Sequence, residues 1–211
     1  MTAVLTADGI ARQGPHGALP AVSLRLEAGR ALAVRGPEPV GAALVKCLYR
    51  TYEPDRGELC LEVDGERVDL AHADPRSVAW VRRRWLGIHD GRLRALPNRS
   101  AVRVAAGAAP DPEREEAARG LLLTLGVDRV DDPVGLLDDH ERRLVDLAAR
   151  LQRPAPILLA HRPRAGLTGE ARRHVGRALT ALRESGVAVL VTVGTEDEIE
   201  HDDLLELGAP G

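Results

Sequence analysis

Apolar and polar residues follow two different periods along the chain. Residues 2–12 and 21–28 are predicted to be strands, the second because AVSLRLEA alternates between apolar and polar positions. Continuous apolar runs at 31–34, 154–161 and 187–193 are typical of strands buried on both faces. The chain therefore combines half-exposed strands near its beginning with fully buried strands in its middle and end.

Helical periodicity separates these strands. One helix is predicted to follow the run 31–34, after a loop bounded by Gly36 and Gly41, and further helices are predicted at 75–84, 112–126, 137–151 and 169–185. The segment 57–70 predicts a hairpin turning at Asp64-Gly65, and short strands are predicted at 86–90 and 203–208.

Strands alternating with amphipathic helices predict an α/β fold with a mainly parallel sheet core and an N-terminal antiparallel sheet. We expect a single domain over 1–211, with the core in 1–91 and 137–211. The Ala-rich region of about 92–136, interrupted by Pro and Gly, is expected to form a small helical lobe with one clear helix.

The loop after the first apolar run carries half of a phosphate-binding pattern. Gly36 and Gly41 have the spacing of G-x-x-x-x-G-K-[ST], but Ala42 and Ala43 stand where the lysine and the hydroxyl belong. Pro39 removes a backbone donor, and Glu38 puts a carboxylate where phosphate would lie. Two glycines at this spacing are common, so the pattern alone predicts only a strand, a loop and a helix.

Composition narrows the possible partners. A net charge of −3 and 2% aromatic residues among 211 argue against a nucleic-acid surface. Cys47 and Cys60 are expected to be reduced thiols, because they fall in a predicted helix and strand. No signal peptide or membrane span is expected, so the sequence favours a cytoplasmic protein without direct membrane insertion. The histidines show no metal-ligand spacing, and we expect no metal site.

Several longer phrases carry a family resemblance. The stretch ERRLVDLAARLQRPAPILLAHRPRAGL and the overall order of elements resemble the nucleotide-binding domain of ABC ATPases. The phrases KCLYRTYEPDRGEL, VDLAHADPRSVAWVRRRWLGI and LRALPNRSA are similar to the ABC subunit of the phosphonate carbon–phosphorus lyase system, the PhnL type. The resemblance implies a P-loop fold, ATP and Mg²⁺ as the family's ligands, and another ABC subunit or a second copy as partner.

This chain departs from the family at nearly every residue that the resemblance marks for chemistry. No aromatic ring stands near residues 10–14, where the family stacks adenine. The Walker A, Q-loop, signature, Walker B and switch positions fall on Ala42, Ala43, Gly91, Asp138, Asp139, His161, Arg162 and Val193. The phosphate lysine, the magnesium ligand, the catalytic base and the γ-phosphate sensor would all be missing, so the sequence favours a pseudo-ATPase without catalytic residues or a bound cofactor.

Other interpretations stay open at this point. The protein could be a working ATP-binding ABC subunit with an unusual site, or it could bind another anion through His161 and Arg162. Lys46, the sole lysine, is interpreted as an ordinary helix residue rather than a relocated phosphate ligand. Because a buried charge is costly unless it is paired, we predict that Glu38 contacts Arg162 or His161 directly and locks the loop closed without a ligand.

Overall fold

The computed structural model describes residues 2–14, 18–194 and 199–208. They contain strands β1 (Ala3–Arg12), β2 (Leu19–Glu27), β3 (Ala31–Arg35), β4 (Arg56–Val63), β5 (Glu66–Asp69), β6 (Leu86–His89), β7 (Ile157–His161), β8 (Ala188–Val193) and β9 (Asp203–Glu206). Their helices are α1 (Glu38–Leu48), α2 (Pro75–Arg84), α3 (Ala101–Ala106), α4 (Pro112–Leu125), α5 (Asp139–Gln152) and α6 (Gly169–Glu184).

The strands form two sheets, as the sequence predicted. An antiparallel sheet has the order β2-β1-β4-β5, and a parallel sheet has the order β6-β7-β8-β3-β9. Every residue of β7 and β8 is buried, which explains why these strands consist of apolar runs rather than alternating residues. The α/β fold with a parallel core and an N-terminal antiparallel sheet is confirmed.

The chain divides into two compact units. The first contains residues 1–90, 155–162 and 180–211, and the second contains 91–154 and 163–179. The second unit includes the whole of the lobe expected at 92–136, together with α5 and most of α6. In the first unit one apolar cluster joins side chains of both sheets to α1, with Leu5, Leu44 and Leu61 fully buried.

Two details of the elements differ from the sequence prediction. The short helix α3, AVRVAA, was missed because six residues are too few to show a helical period. Helix α1 begins at Glu38 rather than after Gly41. The Asp64-Gly65 turn was predicted correctly, and both residues adopt positive φ (48° and 86°) as a two-residue hairpin turn requires.

Candidate functional site

The junction between β3 and α1 replaces the loop that the glycine spacing predicted. Strand β3 ends at Arg35, and α1 begins at Glu38, so only Gly36 and Pro37 lie between them. Pro39 falls in the first turn of α1, where a missing N–H costs nothing and a fixed φ favours the helix. Glu38 also lies in this turn, where the positive end of the helix dipole stabilises a carboxylate.

The early start of α1 uses the backbone amides that a phosphate cradle would offer. The N–H groups of Val40 and Gly41 both donate to the carbonyl oxygen of Pro37, each over 3.0 Å. Pro39 has no N–H to donate. A phosphate-binding loop needs several amides aimed at the ligand. At positions 39–41, Pro39 has no N–H, and the N–H groups of Val40 and Gly41 donate to a carbonyl oxygen of the same chain.

Glu38 contacts the residue that ends β7, as the sequence analysis predicted. Its Oε1 lies 3.1 Å from Nε2 of His161, so of the two partners proposed for Glu38 the structure gives it the histidine. The side chain of His161 is only 9% exposed, whereas that of Glu38 is 55% exposed. The contact therefore joins a buried imidazole to a carboxylate at the rim of the first unit.

Thr192 in β8 holds the other side of His161, and sequence reasoning missed it. Its Oγ1 lies 2.8 Å from Nδ1 of His161 and also accepts a hydrogen bond from the N–H of Arg162 at 3.1 Å. Arg162 has a positive φ of 44°, a backbone conformation that side chains rarely adopt. The only signal in the sequence was a single hydroxyl in the otherwise apolar strand AVLVTV.

Gly36 and Gly41 allow close packing rather than a phosphate turn. Neither has a positive φ. A Cβ on Gly41 would lie 3.3 Å from Cβ and Cγ2 of Thr192, and a Cβ on Gly36 would lie 2.8 Å from Cβ of Leu207. Both glycines thus bring backbone against neighbouring side chains of the first unit.

The other candidate positions in the first unit, Ala42, Ala43 and Val193, have side chains without polar atoms. Ala43 and Val193 are buried, and Ala42 is half-buried on α1. Lys46 lies within 3.5 Å of the hydroxyl of Tyr52 and over its ring, which agrees with its interpretation as an ordinary helix residue. The guanidinium of Arg12 also lies over the Tyr52 ring, 4.4 Å from its centre. Two cations therefore lie over the ring of Tyr52, a residue that the sequence analysis did not consider.

The other candidate positions lie in the second unit. Asp138 caps α5: its carboxylate accepts from the N–H of Glu141 at 2.8 Å, and Glu141 accepts from the N–H of Asp138 at 3.0 Å. Asp139 is fully exposed and 3.4 Å from Arg142. Gly91 adopts a positive φ of 76°. The two aspartates thus serve the helix terminus, where a capping box stabilises the first turn.

The part of the chain that the structure describes contains neither a metal-ligand cluster nor a membrane-spanning helix. Within residues 2–14, 18–194 and 199–208, no group of three His, Cys, Asp or Glu side chains is arranged to hold a metal ion. In the same part of the chain no helix has both the length and the apolar character needed to cross a bilayer.

Comparison with known proteins gives a consistent picture of the fold. No model of a protein family matches the chain. It is 29% identical over 222 residues to the ATP-dependent lipid A-core flippase of Ralstonia nicotianae, covering 93% of this chain and 36% of that protein. It is 30% identical over 202 residues to the ribose import ATP-binding protein RbsA 1 of Rubrobacter xylanophilus, covering 90% of this chain and 39% of that protein. The chain thus spans less than half of these relatives.

Solved structures agree with the sequence relatives. The dimeric structure of an ATP-binding cassette in a post-hydrolysis state, bound to ADP and Pi, superposes with a TM-score of 0.72. It is 19% identical, and the match covers 92% of this chain and 88% of that one. The chain has the α/β P-loop fold of ABC ATPase cassettes, and the two sequence relatives above are named as an ATP-dependent flippase and an ATP-binding import protein.

Proposed function

We propose that this chain is an ABC ATPase-like domain that does not hydrolyse ATP and acts as a structural or regulatory subunit of a complex. The observation that carries the proposal is the contact between Glu38 and His161. It places a carboxylate at the N-terminus of α1, where the fold otherwise receives an anionic phosphate group. In this proposal the side chains of Glu38 and His161 take the positions that the phosphate and the magnesium-binding residue have in the resembled family.

The residues present do not fit Mg-ATP. Ala42 and Ala43 offer neither an ammonium group nor a hydroxyl, and the amides of Val40 and Gly41 donate to Pro37. His161 lacks the oxygen atoms that Mg²⁺ prefers as ligands, and Arg162, which stays protonated, cannot accept a proton from water. A bound triphosphate would also meet the charge of Glu38, so both binding and turnover are disfavoured.

The partner in this proposal is another ABC subunit or a second copy of this chain. A similar cassette is described as dimeric, and the flippase and the ribose import protein are described as ATP-dependent or ATP-binding. Asp138 and Asp139 at the start of α5 would repel a phosphate group presented by the partner, which favours a supporting role over a shared catalytic site. We also propose that the protein is located in the cytoplasm.

The similarity to the phosphonate carbon–phosphorus lyase subunit refines the proposal. It rests on the phrases KCLYRTYEPDRGEL and LRALPNRSA, which extend from α1 and β4 into the second unit. We infer a role beside a phosphonate-type ABC subunit on this ground. Copurification of the chain with such a subunit, but not with unrelated cassettes, is the expected result, and association with neither would remove this refinement.

Two alternative functions are each supported by one observation. One relative is named as ATP-dependent and the other as ATP-binding, which favours a working nucleotide site of unusual composition. The imidazole of His161 and the cation of Arg162, which are adjacent at the end of β7, favour the binding of a different anion in this region.

Hydrolysis tests the proposal directly. Purified protein should show no Mg²⁺-dependent ATPase activity above a buffer control, because Ala42 supplies no cation for the phosphates and Arg162, at the position of the catalytic base, cannot accept a proton. Ala42→Lys alone should not restore activity, and its added cation in the half-buried first part of α1 should lower stability. Turnover by the unmodified protein that disappears in a Lys46→Ala or Arg162→Ala variant would contradict the proposal and indicate a relocated site.

A further inference from the structure

The second unit contains a basic cleft that the proposed function does not involve. A cavity of about 240 Å³ is lined by five arginines and a single carboxylate; these residues are Arg94, Arg99, Arg103, Arg150, Arg153 and Asp146. A neighbouring cavity of about 390 Å³ is also lined by Arg99 and Arg103, together with Ser100. We call these two cavities the arginine cleft. Arg99 and Arg103 belong to the wall that both cavities share.

Three of the five arginines of the cleft have no acidic partner in the part of the chain that the structure describes. Asp146 is buried, and its Oδ1 lies 3.2 Å from a guanidinium nitrogen of Arg150 in the same helix. Among residues 2–14, 18–194 and 199–208, no carboxylate lies within ion-pair distance of Arg99, Arg103 or Arg153. Three cations thus face a small cavity whose only acid is already paired. Clustered, uncompensated positive charge at a concave surface attracts anions.

Two features describe the surroundings of Arg153. Partial burial, followed by the nearby charges of Arg150 and Arg114, lowers the pKa of Arg153 below its ordinary value, as expected where cations lie close together. Gly107 adopts a φ of 102°, and a Cβ there would lie only 2.6 Å from Cζ of Arg153. The absence of a side chain at Gly107 therefore makes room for the Arg153 guanidinium against the backbone.

We propose that the arginine cleft binds a small molecule carrying two phosphate groups. The planar fork of arginine pairs with phosphate oxygens in a bidentate manner, and a diphosphate group carries enough charge to neutralise three cations. The cavity is of a size for a small ligand, and its lining has no aromatic ring on which a nucleic-acid base could stack. An extended acidic peptide would need a longer groove than these two cavities offer.

Inorganic pyrophosphate is the probe for this proposal. Calorimetric titration of the full chain should give saturable binding that weakens as salt is raised. Arg103→Gln and Arg153→Gln should each reduce the affinity by about tenfold or more, because a charge-assisted hydrogen bond is lost. Arg103 is exposed, so its replacement leaves the fold intact. Arg173→Gln, an exposed arginine on α6 outside the cleft, is the matched control and should leave binding unchanged.

The outcomes separate this site from the β3–α1 junction. Pyrophosphate binding that persists in His161→Ala but is lost in Arg103→Gln supports the cleft, whether or not the protein proves to hydrolyse ATP. Binding that is lost in His161→Ala and kept in both arginine variants would overturn it. Absence of binding at millimolar pyrophosphate, or binding of polyglutamate that pyrophosphate does not displace, would also overturn it.

Discussion

At the scale of single residues, the hydroxyl of Thr192 supports the site more than the exposed carboxylate does. It is buried and lies within hydrogen-bond distance of both His161 Nδ1 and the N–H of Arg162. Glu38 contributes an ion pair or hydrogen bond to the same imidazole, but its side chain is half exposed to water. Burial makes the loss of a partner costly, whereas exposure lets water replace it.

This difference predicts an order of stabilities. Thr192→Val should destabilise the protein by about 1–3 kcal/mol, because Nδ1 of the buried His161 loses its partner, whereas the N–H of Arg162 keeps the backbone carbonyl oxygen of residue 192 as acceptor. Glu38→Gln should cost less than about 1 kcal/mol, as is usual for exposed pairs. Urea unfolding of the two variants measures both values. A Glu38→Gln variant that is less stable than Thr192→Val would show that the carboxylate dominates.

A second residue-scale prediction concerns the thiols. Burial in α1 raises the pKa of Cys47 to about 11, so the nucleophilic thiolate is scarce at neutral pH. Cys60 in β4 is only partly buried. Iodoacetamide at pH 8 should therefore modify Cys60 first and reach Cys47 only on unfolding, which mass spectrometry of the native and urea-treated protein can follow. Equal labelling of both thiols in the native protein would contradict the packing of α1.

At the scale of elements, the start of α1 shows what a sequence pattern can and cannot predict. The spacing of Gly36 and Gly41 predicted a loop, but Pro37, Glu38 and Pro39 favour a helix start, and the structure follows them. The contact between Glu38 and His161 was predictable, because the segment that follows β3 and the end of β7 were both identified from apolar runs. Thr192 was not, since one hydroxyl in a buried strand has no distinguishing period.

The capping box of α5 gives a prediction at the same scale. Asp138→Ala should destabilise the protein by about 1 kcal/mol (range about 0.5–2), because the N–H of Glu141 loses its acceptor. Asp138→Asn should stay close to the original stability, since Asn is an equally good cap. Asp139→Ala, at a fully exposed neighbour, is the matched control with little expected effect. Thermal unfolding of the three variants tests this, and equal stability of Asp138→Ala and Asp139→Ala would refute it.

At the scale of the whole chain, the order of strands and helices was largely predictable, whereas the arginine cleft was not. Runs of apolar residues identify β3, β7 and β8 from the sequence alone, whichever strands lie next to them in the sheet. The cleft joins Arg99 and Arg103 to Arg150 and Arg153, which come from segments separated by over forty residues, as the numbering shows. In a chain whose positive charge is almost all arginine, such a cluster has no signature before folding.

We propose above that Glu38 takes the place of the bound phosphate and that His161 takes the place of the residue that binds Mg²⁺. Isothermal titration with ATP, with and without Mg²⁺, tests it most directly when Arg103→Gln is used to suppress binding in the arginine cleft. We expect no saturable heat up to millimolar ATP and no effect of Mg²⁺, because the amides at the start of α1 are used within the chain. Micromolar binding in that variant, strengthened by Mg²⁺ and abolished by His161→Ala, would contradict the account.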